Sequence, residues 1–127
     1  AIDDNSLEYF TENNVSWPWP QDFYAIFTDY LTDNGAENII FDMLFNQPDV
    51  EREETDANYT DGLFAASIRK NKNVILAAKL NVSEKKSKIN LAKFTLKISG
   101  LLSPKIYNSG IFPLEKFLKN AKQICII

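Results

Sequence analysis

Two short apolar runs limit the fold more than anything else in the chain. Residues 38–45, centred on Ile39-Ile40-Phe41, and residues 73–78, centred on Val74-Ile75-Leu76, are almost unbroken in hydrophobicity. A strand wet on one face alternates, whereas a strand covered on both faces does not, so these runs read as strands inside a parallel sheet. Each follows a segment with helical spacing. The predicted order is β-α-β-α-β, then β, then α-β. With right-handed crossovers that order implies an α/β fold, a mostly parallel central sheet with helices on both faces forming a three-layer sandwich.

Three helices account for the intervening segments. Over residues 21–34, Phe23, Ile26, Phe27, Tyr30 and Leu31 recur at the spacing that lines one helical face, with Pro20 before it and Gly35 after it. Over residues 61–71, Leu63, Phe64, Ala65 and Ile68 are apolar, and Arg69, Lys70 and Lys72 gather where cations suit the C-terminal end of the helix dipole. A third helix follows Pro113 and carries Leu114, Phe117, Leu118 and Ala121 on one face. Residues 94–98 alternate, which predicts an edge strand, and the Ser- and Lys-rich residues 81–88 read as a loop. Ala1-Ile2 reads as the end of a strand that turns at Asp3-Asp4, so both termini are expected to continue in a longer chain.

The 127 residues suffice for one domain, residues 1–127. Histidine is absent and Cys125 is the only cysteine, which excludes Ser-His-Asp and Cys-His catalysis, nearly every zinc enzyme and an internal disulfide. No apolar run approaches the ~20 residues of a membrane-spanning helix. The net charge of −3 conceals an asymmetry: residues 1–63 sum to −14 and residues 64–127 to +11. Opposite blocks of this kind predict two solvated faces that attract each other across the fold, or else a head-to-tail or two-fold contact in a homodimer. Nucleic acid is not an expected partner, since the basic half has few aromatics among its lysines and the acidic half repels phosphate.

Three carboxylates and two indoles are the candidate site residues. Asp3 and Asp4 follow the first predicted strand and Asp42 lies late in the second, so a parallel sheet would bring them to one C-terminal edge, where α/β folds bind ligands. Such a trio would suit Mg²⁺ or acid-base chemistry, with Asp42 as phosphate acceptor and Lys79 nearby in a receiver-like alternative. The topology opposes that alternative, because a receiver's acceptor follows the third strand and Asp42 follows the second. In the structural reading, Asp4 or Asn5 caps a short helix beginning at Ser6. The acidic loop 49–61 contains an EF-hand-like start at Asp56, but Asp61 stands where glycine is needed and Ser67 where glutamate is needed, so a solvated loop is expected. No metal or cofactor is assigned.

Trp17-Pro18-Trp19-Pro20 is the most unusual local sequence. Each tryptophan precedes a proline and is therefore pushed toward extended backbone, and residues two apart project to the same side, which makes a stiff aromatic bracket. Such a bracket either stacks on a ligand or covers one end of the core.

The ordered set of Ile2-Asp3-Asp4-Asn5-Ser6-Leu7, the bracket, an amphipathic helix, Gly35-Ala36, Ile40-Phe41-Asp42-Met43-Leu44-Phe45, Pro48-Asp49 and Asn73-Val74-Ile75-Leu76-Ala77 resembles the type-two CHASE domain over residues 1–80. Farther on, the likeness thins to Ile111-Phe112-Pro113-Leu114 and the helix after it. Ser16 and Gln21 depart from the pattern, standing where the family tends to have glycine and arginine. The resemblance implies a non-enzymatic, extracytoplasmic sensory domain of a membrane-bound bacterial signalling protein, tethered by flanking membrane helices. It would relay an unidentified small-molecule or protein signal to a cytoplasmic nucleotide cyclase or histidine kinase.

Overall fold

The computed structural model describes residues 3–15, 17–52, 55–81 and 109–127. Its elements are α1 (Asp4–Glu12), α2 (Gln21–Asp33), β1 (Ile39–Phe41), α3 (Ala57–Asn71), β2 (Val74–Asn81), β3 (Ser109–Ile111), α4 (Glu115–Leu118) and β4 (Gln123–Ile126). The predicted edge strand over residues 94–98 and most of the predicted loop after β2 lie outside the described residues, as does Ala1-Ile2.

β2 is the centre of a four-stranded mixed sheet. β1 pairs with it in parallel from Ile39 opposite Val74 to Phe41 opposite Leu76, and β4 pairs in parallel from Gln123 opposite Ile75 to Ile126 opposite Ala78. β3 pairs antiparallel with the far end of β2, Lys79 to Asn81. The α/β class is therefore as expected, while the parallel pattern holds for two of these three pairings and not for β3.

Large apolar side chains of α2, α3 and α4 meet one face of the strands. Phe64, Ile68, Val74, Leu76 and Phe117 are fully buried, with Tyr24, Ile39, Phe41 and Phe45 around them. Phe64 is the pivot, its ring 4.9 Å from Phe45, 5.1 Å from Phe117 and 5.6 Å from Phe41. A smaller cluster of Ala78, Phe112, Leu118 and Ile124 continues the core. On the opposite face of the sheet, Ile40, which points away from its buried neighbours Ile39 and Phe41, is 64% exposed, whereas Ala77 of β2 is fully buried.

Three local outcomes differ from the sequence pattern. The run 38–45 is a strand only as far as Phe41; Asp42 is exposed, and the chain then turns back to bury Phe45, whose carbonyl accepts from the Leu114 N–H at 2.8 Å. α3 starts a turn earlier than expected because Asp56 caps it, its carboxylate accepting from the Tyr59 N–H at 2.8 Å. The EF-hand-like sequence is thus a helix start. α2 has its expected boundaries, with Gly35 past its end at φ +81°, a conformation cheap only for glycine.

The orientation of α2 is the largest departure. It buries Gln21, Tyr24, Ala25 and Thr28, whereas Ile26, Phe27 and Tyr30 of the apolar stripe are 66%, 53% and 63% exposed. Small residues explain the choice, because Ala25 and Thr28 let α2 approach α3 more closely than a face of phenylalanines would allow. The two helices are further joined by the Asn71 amide donating to the Thr32 hydroxyl, and by Lys70 at 3.5 Å from Asp29.

Candidate functional site

The two tryptophans divide the roles that the sequence left open. Their rings meet edge to face, centroids 5.5 Å apart at 71°, so the bracket does bring both indoles to one side. Trp19 packs on Phe10 of α1 at 4.5 Å and leans on the main core, while Trp17 is 51% exposed. The Trp17–Pro18 peptide bond is cis. Between the bracket and the turn after β1 lies a cleft of about 410 Å³, lined by Trp17, Trp19, Gln21, Tyr24 and residues 43–50.

Behind the cleft sits a charged cluster that was expected to be a solvated loop. The Asp49 side chain is only 2% exposed and that of Asp61 is fully buried. Asp49 Oδ2 accepts from the Gln21 N–H at 2.8 Å and the Thr60 hydroxyl at 2.6 Å; Oδ1 accepts from the Arg52 guanidinium at 2.8 Å and from the Val50 N–H at 2.7 Å. Burial alone would raise the Asp49 pKa, but these four donors together outweigh it and hold the group below the ordinary carboxylate value. The Arg52 fork also donates to the Pro18 carbonyl at 3.0 Å, which ties the bracket to the cluster.

The cluster extends to the far side of the core. The Asp49 N–H donates to Asp61 Oδ1 at 3.1 Å, and Lys116 of α4 donates to Asp61 Oδ2 at 2.9 Å. A continuous path of hydrogen bonds thus runs from Pro18 through Arg52, Asp49 and Asp61 to Lys116. Asp61 and Lys116 also join the acidic and basic halves of the chain, as does the Asp29–Lys70 pair. The sequence did contain a signal for Asp61, since it falls on the same helical stripe as Ala57, Phe64 and Ile68, where a carboxylate must find a partner. Asp49 had no such signal, because its burial depends on contacts distant in sequence.

The remaining candidates do not line the bracket cleft. Asp3, rather than Asp4 or Asn5, caps α1; its carboxylate accepts from the Ser6 hydroxyl at 2.7 Å and the Ser6 N–H at 2.9 Å, which hold its pKa below the usual value. Asp4 is exposed in the first turn of the helix. Asp42 is exposed at the end of β1, where it lines a second, largely apolar groove of about 680 Å³ with Phe10, Trp19, Phe27, Tyr30 and Ile40. The expected pocket of three carboxylates does not form: among the described residues there is no group of three or more acidic or cysteine side chains that would hold a metal ion. A helix cap uses Asp3 locally, which separates it from the work anticipated at a sheet edge.

The order of these parts along the chain has a counterpart among known families. The model of the CHASE2 domain matches residues 1–124. The chain belongs to the CHASE2 family. CHASE2 domains are extracellular, non-catalytic sensory domains of signalling proteins, so the described cleft and groove belong to a sensory module. No curated protein and no solved structure matches the chain. Gln21 touches Asp49 through its backbone, and the basic partner of Asp49 is Arg52. Among the described residues no helix is long and apolar enough to cross a membrane.

Proposed function

We propose that this CHASE2 domain is the extracytoplasmic input of a membrane-bound bacterial signalling protein, and that occupancy of the bracket cleft is what it reports to a cytoplasmic cyclase or histidine kinase. Flanking membrane helices tether it. The observation that carries this reading is the hydrogen-bonded path from Pro18 to Lys116, which joins the cleft to α4 and, through the Lys122 N–H donating to the Val74 carbonyl at 2.9 Å, to the central strand. A ligand shifts a domain only through unequal affinity for two arrangements of it. Here the cleft wall includes Asp49 itself, so any contact that moves residues 43–50 also bears on Asp61.

The experiment is done in the full-length protein, with its output activity measured in membranes. Arg52→Ala and Lys116→Met are expected to change basal output in the same direction, because they cut the same path at its two ends. Output equal to wild type in both variants, or a coding sequence with no membrane span on either side of this domain, would overturn the proposal.

A further inference from the structure

By turning its small residues toward α3, α2 leaves its larger apolar ones along the groove of about 680 Å³ that runs beside α1 and the end of β1. The wall is aromatic. The Phe10 ring lies 4.5 Å from Trp19 and 6.0 Å from Phe23, so three rings adjoin, and Phe27, Tyr30 and Ile40 line the groove while remaining more than half exposed. Asp42 is the only charged residue among those that line it. Its exposed carboxylate takes part in no hydrogen bond or ion pair among the described residues. The groove shares Trp19, Tyr24 and Met43 with the bracket cleft, but neither Trp17 nor Asp49.

Charge decides what suits such a groove. Every lining residue falls between positions 10 and 43, inside the half of the chain that sums to −14. The flanking helices α1 and α2 contain Asp4, Glu8, Glu12, Asp22, Asp29 and Asp33 and no basic residue, and Lys70 offsets only Asp29 and Asp33, at 3.5 and 3.9 Å. An anionic ligand or an acidic bilayer is repelled by that field, and a second copy of the same face would set like charges against each other. A neutral apolar molecule would cover the rings but draw the Asp42 carboxylate from water without a counter-charge. A cation carried on an apolar body meets both conditions, because the body covers the exposed side chains while the charge faces the carboxylate and the electron-rich faces of the rings. The volume falls within the ~300–1,000 Å³ common for small-molecule sites.

We propose that the groove between α1, α2 and the end of β1 binds a lipophilic organic cation, an ammonium group on an aromatic or aliphatic body, with Asp42 as its counter-charge. This is a second site beside the bracket cleft, and its occupancy does not depend on the sensory reading above.

Calorimetric titration of the 127-residue chain with the trimethylammonium, acetamide and carboxylate derivatives of 1-methylnaphthalene compares a cation, a neutral molecule and an anion on one apolar body. The ammonium is expected to bind saturably and at least tenfold more tightly than either of the others. Asp42→Asn should lower its affinity at least fivefold while leaving the acetamide within twofold, and Phe27→Ser should weaken it at least threefold. Both variants change exposed side chains, so both retain the fold by circular dichroism. Trp17→Ala, at the bracket cleft alone, should leave the ammonium within twofold of wild type. No saturable binding of the ammonium, equal affinity for the acetamide, preference for the carboxylate, or unchanged affinity in Asp42→Asn would overturn the proposal. A loss in Trp17→Ala as large as that in Asp42→Asn would move the cation to the bracket cleft and overturn it as well. Sedimentation is expected to show no dimer held by this face, and a dimer that Phe27→Ser dissociates would assign the groove to a second copy of the chain instead.

Discussion

The Asp61 carboxylate, fully buried, lies 2.9 Å from the Lys116 ammonium, whose side chain is 40% exposed. The two ends of this pair are unequal, and the inequality predicts the order of two mutants. Lys116→Met strands a charge in the core and should cost about 3 kcal/mol, toward the low end for a buried pair because the lysine side reaches solvent. Asp61→Asn keeps an oxygen for the Asp49 N–H while Lys116 turns outward, and should cost about 1 kcal/mol. Urea unfolding of the two variants measures this, and the reverse order would contradict the assigned geometry.

Acid should weaken the domain through Asp49. Its folded pKa lies below the usual value, so its contribution is complete above the unfolded carboxylate value of about 3.9 and is lost as pH falls through the lower, folded value. Stability measured from pH 6 down to pH 2.5 should therefore fall less steeply in Asp49→Asn than in wild type. Equal slopes would show that the carboxylate titrates alike in both states.

Tyr24 should ionise late. Its absorbance change on deprotonation is expected at about pH 12. A Tyr24→Phe difference spectrum isolates the signal, and a difference midpoint near pH 10 would contradict its burial beside Asp49.

Two large apolar residues should behave oppositely. Phe64→Ala removes a fully buried ring that meets Tyr24, Phe41, Phe45 and Phe117, a loss of about 3–5 kcal/mol. Ile26→Ser acts on a side chain 66% exposed and should change stability by no more than about 0.5 kcal/mol. Thermal unfolding compares them directly, and similar losses would mean that the apolar stripe of α2 is in fact covered.

That stripe marks the limit of what periodicity reveals. Spacing located α2, α3 and the central strand because local hydrophobic order determines which element forms. It did not give the orientation of α2, because apolar residues lie on more than one side of the helix and the choice is made by how closely Ala25 and Thr28 let it approach α3. The bracket was legible as a stiff aromatic unit from its prolines, yet only the tertiary contact with Phe10 separates the packed Trp19 from the exposed Trp17. The carboxylates ranked by position, Asp3, Asp4 and Asp42, proved peripheral to the cleft. Those within an apparently solvated loop, Asp49 and Asp61, proved buried, because long-range donors from Gln21 and Lys116 make their burial affordable.

The central claim is that the bracket and α4 are joined through Asp49 and Asp61. The most direct test is a double-mutant cycle in urea with Arg52→Ala, Lys116→Met and the pair. The two side chains bind different carboxylates, so without the path their effects should add to within about 0.3–0.5 kcal/mol. The account predicts a departure from additivity of at least about 0.5–1 kcal/mol. Strict additivity would contradict it.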